Sequence, residues 1–275
     1  MLDFKIKEDK CIECSLCAQD CPVGIIELNP KPVIRKEKEK NCLKCQHCLA
    51  ICPTAALSIL GKKPEDSISV TSEIPKPDSL SRLIKTRRSI RKYKKENIDK
   101  KLIQELIETA AHAPTGHNDN AVLLSLIDNK EDLDLFRSKV YDSLKKARES
   151  DTLEKRFQFL LSYQKLWESN GVDIIFRDAP HMIITSAPSA DASPMADCLI
   201  SLCYFELMAN SYGIGTLWNG MLKWAIDDID PELRTLIGIP KDHTIGYVML
   251  FGRPAVKYAR GIQSEGLKVN RIKFE

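Results

Sequence analysis

The sequence predicts a two-part α+β protein, in which a small cysteine-rich domain precedes a larger domain of mixed helices and strands. Three observations lead to this prediction. The chain has 275 residues, which is long for one average domain and comfortable for two. Eight of its ten cysteines lie within the first 52 residues. Beyond residue 79, helical spacing of apolar residues alternates with short apolar runs typical of buried strands, without a strand, glycine-rich turn and helix of the dinucleotide-binding kind.

The overall composition limits the classes of partner that we expect. Hydrophobic residues make up 43% of the chain and charged residues 29%, as in globular proteins that bury a full core. The formal net charge of +3 is small and spread along the chain, so we expect no nucleic-acid partner. The amino terminus has no apolar signal segment, and no apolar run approaches the roughly 20 residues that span a bilayer. We therefore expect a cytoplasmic protein without a membrane partner.

Two cysteine runs, DKCIECSLCAQDCP (9–22) and EKNCLKCQHCLAICP (39–53), carry the same spacing, C-x2-C-x2-C-x3-C-P. Disulfides are rare in a reducing compartment, so clustered cysteines there indicate metal ligands or catalytic groups. Structural zinc is the alternative, but zinc sites usually pair two C-x2-C knuckles, and a third cysteine in each run fits them poorly. His47, inside the second run, is expected at the surface because the cysteine count is complete without it.

With these two runs, residues 1–62 resemble a bacterial-type two-cluster ferredoxin. The resemblance implies two [4Fe-4S] clusters, with the fourth cysteine of each run ligating the other cluster. The implied ligand sets are Cys11, Cys14, Cys17 and Cys52 for one cluster, and Cys42, Cys45, Cys48 and Cys21 for the other. Residues 63–78 contain three prolines and no sustained period, which is typical of a linker.

In the larger domain, taken as 79–275, the apolar pattern predicts helices and strands in alternation. Helices are expected near residues 80–84, from about Asp99, and over 130–149, 151–169 and 195–211. Buried strands are expected at 121–128, 181–187 and 244–252. On the last helix, four sulfur-containing residues are predicted to be buried as hydrophobic side chains: Met195, Cys198, Cys203 and Met208.

Four segments resemble those of the FMN-dependent nitroreductase family in order and spacing, over about residues 79–260. They are TRRSIRKY (86–93), AHAPTGHN (111–118), MADCLISLCYFELMANSYGIGTLWNG (195–220) and GYVMLFGRPAVKYAR (246–260). The order of the two domains resembles that of ferredoxin-fused nitroreductases. The resemblance implies bound FMN and an intertwined homodimer with FMN at the subunit interface, to which the long helix ending at Tyr212 contributes.

The resemblance also implies which residues hold FMN. The phosphate is expected on guanidinium and hydroxyl groups of the first segment and on two basic residues of the last: Arg87, Arg88, Ser89, Arg91, Lys257 and Arg260. Arg253 is an alternative to Arg260. The isoalloxazine is expected against two turns: Pro114, Thr115, Gly116 and Asn118 in one, and Trp218, Asn219 and Gly220 in the other. Because the flavin is the reactive group, no catalytic side chain is assigned, and His117 is expected to pack or cap rather than act as an acid.

Three hypotheses about function follow. The first is an FMN-dependent oxidoreductase, in which two clusters relay electrons to FMN for reduction of a small nitro compound, quinone or related acceptor. The second is a non-enzymatic electron-transfer module between protein partners, and the third is a cofactor-binding scaffold. Reduced ferredoxin, NADH and NADPH all stay open as electron donors.

Overall fold

The computed structural model describes residues 2–70 and 74–274, which separate into two compact units. The first unit contains the described residues up to Pro75 together with His117–Asp119. The second contains Lys76–Gly116 and the described residues from Asn120 onward. The predicted domain bounds of 1–62, 63–78 and 79–275 stay predictions, and positions 71–73 of the predicted linker lie outside the described residues.

The first unit repeats one small pattern of strands and short helices. Its strands are β1 (Lys5–Ile6), β2 (Ile26–Asn29), β3 (Lys31–Ile34) and β4 (Leu57–Ser58), and its α-helices are α1 (Leu16–Gln19) and α2 (His47–Ala50). Strand β1 pairs antiparallel with β4, and β2 pairs antiparallel with β3. Both helices begin inside a cysteine run, each after a residue in the left-handed region, Ser15 (φ 61°) and Gln46 (φ 60°). The two runs therefore share their backbone path as well as their spacing.

The core of the first unit is small. It contains buried aliphatic residues together with one cysteine from each run: Leu2, Cys17, Ile25, Ile26, Cys48, Leu49, Leu57 and Ile59. A core of this size contributes little hydrophobic stabilisation by itself, so small domains of this kind usually depend on metals or disulfides.

The second unit has a four-stranded antiparallel sheet in the order β5-β6-β8-β7. Its strands are β5 (Leu123–Ile127), β6 (His181–Pro188), β7 (Gly215–Trp218) and β8 (His243–Gly252). Its α-helices are α3 (Pro77–Thr86), α4 (Lys100–Ala110), α5 (Lys130–Glu149), α6 (Phe159–Asn170), α7 (Pro194–Ser211), α8 (Gly220–Trp224) and α9 (Pro231–Leu236). Among the residues that the structure describes, no helix is both long and apolar enough to cross a bilayer.

Both faces of the sheet are covered. On β6, Met182 and Ile184 belong to the core that includes α5, whereas Ile183 between them belongs to the core that includes α4 and α7. Residues on one strand point alternately to opposite faces, so a strand between two cores must be apolar at successive positions. This explains the continuous apolar runs from which the central strands were predicted.

The predicted α+β class is confirmed, and most predicted elements are present with small changes of boundary. Asp99 accepts hydrogen bonds from the backbone N–H groups of Lys101 and Leu102 and so caps α4, as expected from its position. The helix predicted over 151–169 begins only at Phe159, because the start of that segment forms the turn after α5, where Asp151 is left-handed (φ 50°), and then a 3-10 turn over Lys155–Phe157. Strand β7 was not predicted, because it is only four residues long and its apolar run is too short to stand out.

Two of the four sulfur-containing residues predicted to be buried on α7 are exposed. Cys198 is buried, and Met208 is partly buried against the core that includes α4. Cys203 and Met195 are solvent-exposed, so the prediction was wrong for them. Helix α7 packs on α4, β6 and β8 within this chain, and Met195 and Cys203 lie at positions of the helix that these contacts do not cover.

Candidate cofactor sites

The eight cysteines of the first unit line two separate cavities. One cavity is lined by Cys11, Cys14, Cys17 and Cys52, and the other by Cys21, Cys42, Cys45 and Cys48. Each cavity thus takes three cysteines from one run and the last cysteine from the other run, which is the grouping that the sequence predicts. We call them the Cys52 cavity and the Cys21 cavity.

The donor set of both cavities suits iron–sulfur clusters. All eight cysteines are free thiols, and most other lining residues are apolar, such as Leu16 and Leu57 in the Cys52 cavity and Ile25 and Ile59 in the Cys21 cavity. Cysteine thiolates in an apolar surround are the usual ligands of [4Fe-4S] clusters. Among the described residues, no three His, Cys, Asp or Glu side chains are arranged to hold a single metal ion.

Burial and hydrogen bonding act on the thiols in opposite directions. Burial raises the pKa of Cys17, and it raises the pKa of Cys48 to about 12. The pKa of Cys52 is lowered: burial raises it, but hydrogen bonds from the Ala56 backbone N–H and from Thr54 outweigh the effect of burial. Buried thiols need a positive partner to lose their protons, and cluster iron supplies one.

In the second unit, the predicted phosphate residues come from two segments that run side by side. The backbone N–H of Lys94 donates to the carbonyl oxygen of Arg253 at 2.8 Å, and that of Ala255 donates to Lys92 at 2.9 Å. Further along, a Cβ atom built on Gly261 would lie 2.9 Å from the carbonyl oxygen of Lys85, at the end of α3. The segment that carries Lys257 and Arg260 therefore lies beside the segment that carries Arg87 to Arg91.

The basic side chains of these segments differ in their partners. Arg87 forms an ion pair with the largely buried carboxylate of Glu206, from Nη1 to Oε1 at 3.3 Å. Arg88 donates from Nη2 to the carbonyl oxygen of Lys85 at 2.9 Å, while its buried Nε has no hydrogen-bond partner. Arg253 lies 3.7 Å from the carboxylate of Glu96. An unpartnered guanidinium nitrogen beside other basic groups is an arrangement that a phosphate would complete.

The ion pair of Arg87 belongs to a polar network that the sequence did not reveal. Glu206 also accepts a hydrogen bond from the hydroxyl of Thr216 on β7, at 2.9 Å, and Asn210 donates to that hydroxyl at 3.1 Å. Ser89 lies opposite Thr216 in an isolated parallel bridge. Arg87 is therefore tied to the fold, while 31% of its side chain stays exposed.

The turn after α4 is held by a buried carboxylate. The backbone N–H of Gly116 donates to both carboxylate oxygens of Asp197, at 3.1 and 3.2 Å, and Ser193 donates to the same carboxylate at 2.8 Å. A Cβ atom at Gly116 would lie 2.4 Å from the Ser193 hydroxyl oxygen, so a side chain there would push Ser193 out of its hydrogen bond to Asp197. Thr115 accepts from the backbone N–H of Asn120 at 3.1 Å. Sequence analysis missed Asp197 and Ser193, although an acid in the first turn of a helix was a usable signal.

The rest of this turn is distinctive in its backbone. His117 and Asn118 both have positive φ values, 50° and 59°, and belong to the first unit. His117 is exposed, and Pro114 is exposed at the start of the turn. Within the first unit, the side-chain amide of Asn118 donates to the carbonyl oxygen of Leu43 at 3.0 Å.

The second predicted flavin turn joins β7 to α8. Asn219 is buried, and its polar groups are committed: its backbone N–H donates to Val248, its side-chain amide donates to Ile175 at 2.7 Å, and its Oδ1 caps α8 at Leu222. Gly220 is the first residue of α8, so its N–H has no acceptor inside that helix. Of the backbone N–H groups of Asn219 and Gly220, that of Gly220 is thus the one that neither β8 nor α8 engages.

Two neighbours complete the description of this turn. Trp218 is half-buried and packs edge-to-face on Tyr247, with ring centroids 5.3 Å apart. The Tyr247 hydroxyl oxygen would lie 3.0 Å from a Cβ atom on Gly220, so a side chain there would crowd it. Trp218 therefore packs within the protein, and the missing side chain of Gly220 leaves room for the Tyr247 hydroxyl group.

A large apolar cavity of the second unit lies elsewhere. It has a volume of about 620 Å³, is bordered by β5, α5 and α9, and contains none of the predicted FMN residues. The predicted flavin residues lie instead in the two basic segments, in the turn at Gly116 and at the start of α8.

Comparison with known proteins identifies both parts of the chain. The Nitroreductase family profile matches residues 84–253, and the 4Fe-4S dicluster domain profile matches residues 10–57. A protein from Methanothermobacter thermautotrophicus, provisionally named NADH dehydrogenase/NAD(P)H nitroreductase, is 26% identical over 194 residues, which are 69% of this chain and 84% of that protein.

Solved structures agree on the fold of the second unit. A nitroreductase with bound FMN from Bacteroides fragilis is 20% identical, covers 70% of this chain and 98% of its own, and superposes with a TM-score of 0.56. An FMN-bound nitroreductase from Desulfitobacterium hafniense is 24% identical, covers 70% and 98% of the two chains, and gives a TM-score of 0.53. At these identities the likeness confirms the nitroreductase-like α+β fold. Because the family profile spans more than half of its length, the chain belongs to the nitroreductase family and is, as its motifs predicted, an FMN-dependent oxidoreductase with a 4Fe-4S dicluster domain before it.

Proposed function

We propose that two [4Fe-4S] clusters in the first unit relay electrons to FMN in the second, for reduction of a small nitro compound, quinone or related acceptor. The observation that carries this proposal is the pair of four-cysteine cavities in a chain of the nitroreductase family. Four thiols per cavity, three from one run and one from the other, match what each of two cubane clusters needs.

The number of clusters has a direct test. Anaerobically purified protein should contain about eight iron and eight acid-labile sulfide per chain, as two cubane clusters require. Two zinc ions and no sulfide would contradict the proposal. Cys21→Ala should damage the cluster of the Cys21 cavity and spare the other one, because Cys21 lines only that cavity. Loss confined to the other cluster would show that the ligand sets are wrong.

For FMN, we propose that the two basic segments hold the phosphate and that the two turns hold the ring. When bound, FMN accepts electrons singly and delivers them as a pair, which no side chain can do. Arg87, Arg88 and Arg91 in the first segment, with Lys257 and Arg260 in the second, supply positive charge and hydrogen-bond donors. The committed side chain of Asn219 fixes the turn, and the backbone N–H of Gly220 is the donor left for the ring.

We further propose that the protein is a homodimer, with α7 at its interface. Met195 and Tyr204 on α7 are 40% and 39% exposed, and Cys203 is exposed on the same helix. An apolar helix face of this kind is stabilised when a second copy covers it. Mass measurement in solution should give twice the chain mass, and Tyr204→Glu should give the monomer. A monomer at micromolar concentration of the unaltered protein would contradict this proposal.

One experiment can identify both the electron donor and the class of electron acceptor. Reduced ferredoxin, NADH and NADPH are offered separately under anaerobic conditions, and cluster and flavin spectra are followed before and after addition of a nitroaromatic compound or a quinone. We expect one donor to reduce the protein and the small acceptor to reoxidise it with turnover. Reoxidation only by another protein would favour the non-enzymatic electron-transfer module instead. Reducing conditions of the cytoplasm suit the eight free thiols, and we propose that location.

A further inference from the structure

The two cysteine cavities differ at one matched position of their walls. In both runs the fourth cysteine is followed by proline, but the next residue is Val23 after Cys21 and Thr54 after Cys52. Val23 lines the Cys21 cavity, and Thr54 lines the Cys52 cavity. The internal repeat thus places a methyl group in one cavity where it places a hydroxyl group in the other.

The hydroxyl group lies within reach of a sulfur. Thr54 Oγ1 is 3.8 Å from Cys52 Sγ, and the backbone N–H of Ala56 donates to the same sulfur at 3.3 Å. In the Cys21 cavity, the backbone N–H of Lys44 donates to Cys42 Sγ at 3.4 Å. A valine at position 23 cannot donate to Cys21. The Cys52 cavity therefore has one side-chain donor for which the Cys21 cavity has no equivalent at the matched position.

Hydrogen bonds to cluster sulfurs help to set the reduction potential of an iron–sulfur cluster. One-electron reduction adds one negative charge to the cluster and its thiolates, so a donor to a ligand sulfur stabilises the reduced form more than the oxidised form. We infer that the Thr54 hydroxyl raises the potential of the cluster in the Cys52 cavity above that of the cluster in the Cys21 cavity. This inference rests on the proposed two-cluster function. On one-electron reduction of the protein, the electron should therefore reside on the cluster in the Cys52 cavity.

The test uses the full chain, purified anaerobically, and two reciprocal variants. Thr54→Val removes the hydroxyl and keeps the shape of the side chain, while Val23→Thr introduces a hydroxyl at the matched position. Each protein is titrated with dithionite and redox mediators, and the two cluster signals are followed by electron paramagnetic resonance. Iron and sulfide are measured on every sample.

We expect Thr54→Val to lower one of the two potentials, by about a tenfold change in the reduction equilibrium, which is about 59 mV for one electron. Val23→Thr should raise the other potential and leave the first in place. The double variant should bring the two potentials into the opposite order. Thr54→Ser keeps a hydroxyl group, so it should retain the higher potential.

The outcomes separate this inference from the function on which it rests. Two intact clusters whose potentials do not move, or a single potential that moves in both variants, would overturn the role of Thr54 and leave the two-cluster proposal standing. Fewer than two clusters in the unaltered protein would overturn both. If Thr54→Val lost a cluster, Thr54→Ser and Val23→Thr would still decide the question through their potentials.

Discussion

The two units of this protein encode their sites in different ways. In the first, three of the four cysteines of each cavity lie within seven residues of sequence, and a short repeat fixes their geometry. In the second, the residues proposed to hold FMN are spread over four segments of the chain, from Arg87 to Arg260. Local spacing therefore specifies the chemistry of the first unit, whereas the packing of the second unit decides which of several basic residues a ligand can use.

Removal of the clusters should have the largest effect, because it should unfold the first unit and spare the second. The core of the first unit is small and includes Cys17 and Cys48, so without metal this unit should unfold. The second unit has two cores of its own and should stay folded. Hydrogen exchange should show lost protection throughout β2 and β3 after iron chelation, with protection kept in β6 and β8. Equal protection of β2 and β3 with and without iron would contradict a metal-dependent fold.

The second test concerns Arg87, which serves both the fold and the proposed ligand site. Arg87→Ala should weaken FMN binding by roughly tenfold to a hundredfold, through loss of a charged hydrogen bond to phosphate. It should also lower the free energy of unfolding of the second unit by about 1–3 kcal/mol, because Glu206 is left buried without its partner.

A double variant separates the two effects. In Arg87→Ala with Glu206→Gln, the unpaired charge is gone, so most of the stability should return while FMN affinity stays low. Riboflavin, which has no phosphate, should bind the unaltered protein and the double variant about equally. If FMN affinity also returned in the double variant, Arg87 would act only through the fold.

The third test uses a buried histidine of the second unit. His181 is fully buried, its Nε2 accepts from the backbone N–H of Ile98 at 2.9 Å, and burial lowers its pKa to about 4. The unfolded chain takes up a proton near pH 6.5 and the folded chain near pH 4, so the unfolded state binds more protons between these values. The free energy of unfolding should therefore fall, by about 3 kcal/mol, as the pH is lowered from 6.5 to 4.

Tryptophan fluorescence suits this measurement, because all three tryptophans belong to the second unit. His181→Gln keeps an acceptor for Ile98 but does not titrate, so its free energy of unfolding should depend less on pH in this window. His112→Gln, at an exposed position, should behave as the unaltered protein does. The same pH dependence in all three proteins would rule out His181 as the cause.

The fourth and smallest effect distinguishes two exposed arginines. Arg253 lies close to Glu96, while Arg260 is exposed beside the end of α3. Arg260→Ala should weaken FMN binding by about twofold to fivefold, the usual range for an exposed charge pair, and Arg253→Ala should change it little. The opposite order, measured by flavin fluorescence titration, would assign the phosphate contact to Arg253.

Features set by local sequence could be predicted, whereas features set by tertiary packing could not. The resemblance to two-cluster ferredoxins predicted which thiols share a cavity, whereas the spacing alone groups only the first three cysteines of each run. Apolar runs predicted β5, β6 and β8. On β6 the run reflects burial on both faces, since Met182 and Ile184 pack in one core and Ile183 in the other. The sequence could not reveal β7, which is only four residues long, or the pairing of Arg87 with Glu206, which lie 119 positions apart. It also could not show that the side chain of Asn219 is committed to Ile175 and Leu222, since that depends on how the sheet folds.

The central claim is that electrons pass from the clusters to FMN and then to a small acceptor, and one measurement tests it most directly. FMN is removed from the protein while the clusters are retained, half of the sample is reconstituted with FMN, and both halves are reduced anaerobically. The cluster signals are then followed by rapid freezing and electron paramagnetic resonance after mixing with a nitroaromatic compound. We expect the clusters to be reoxidised rapidly only in the sample that contains FMN. Equally fast reoxidation in both samples would contradict the account.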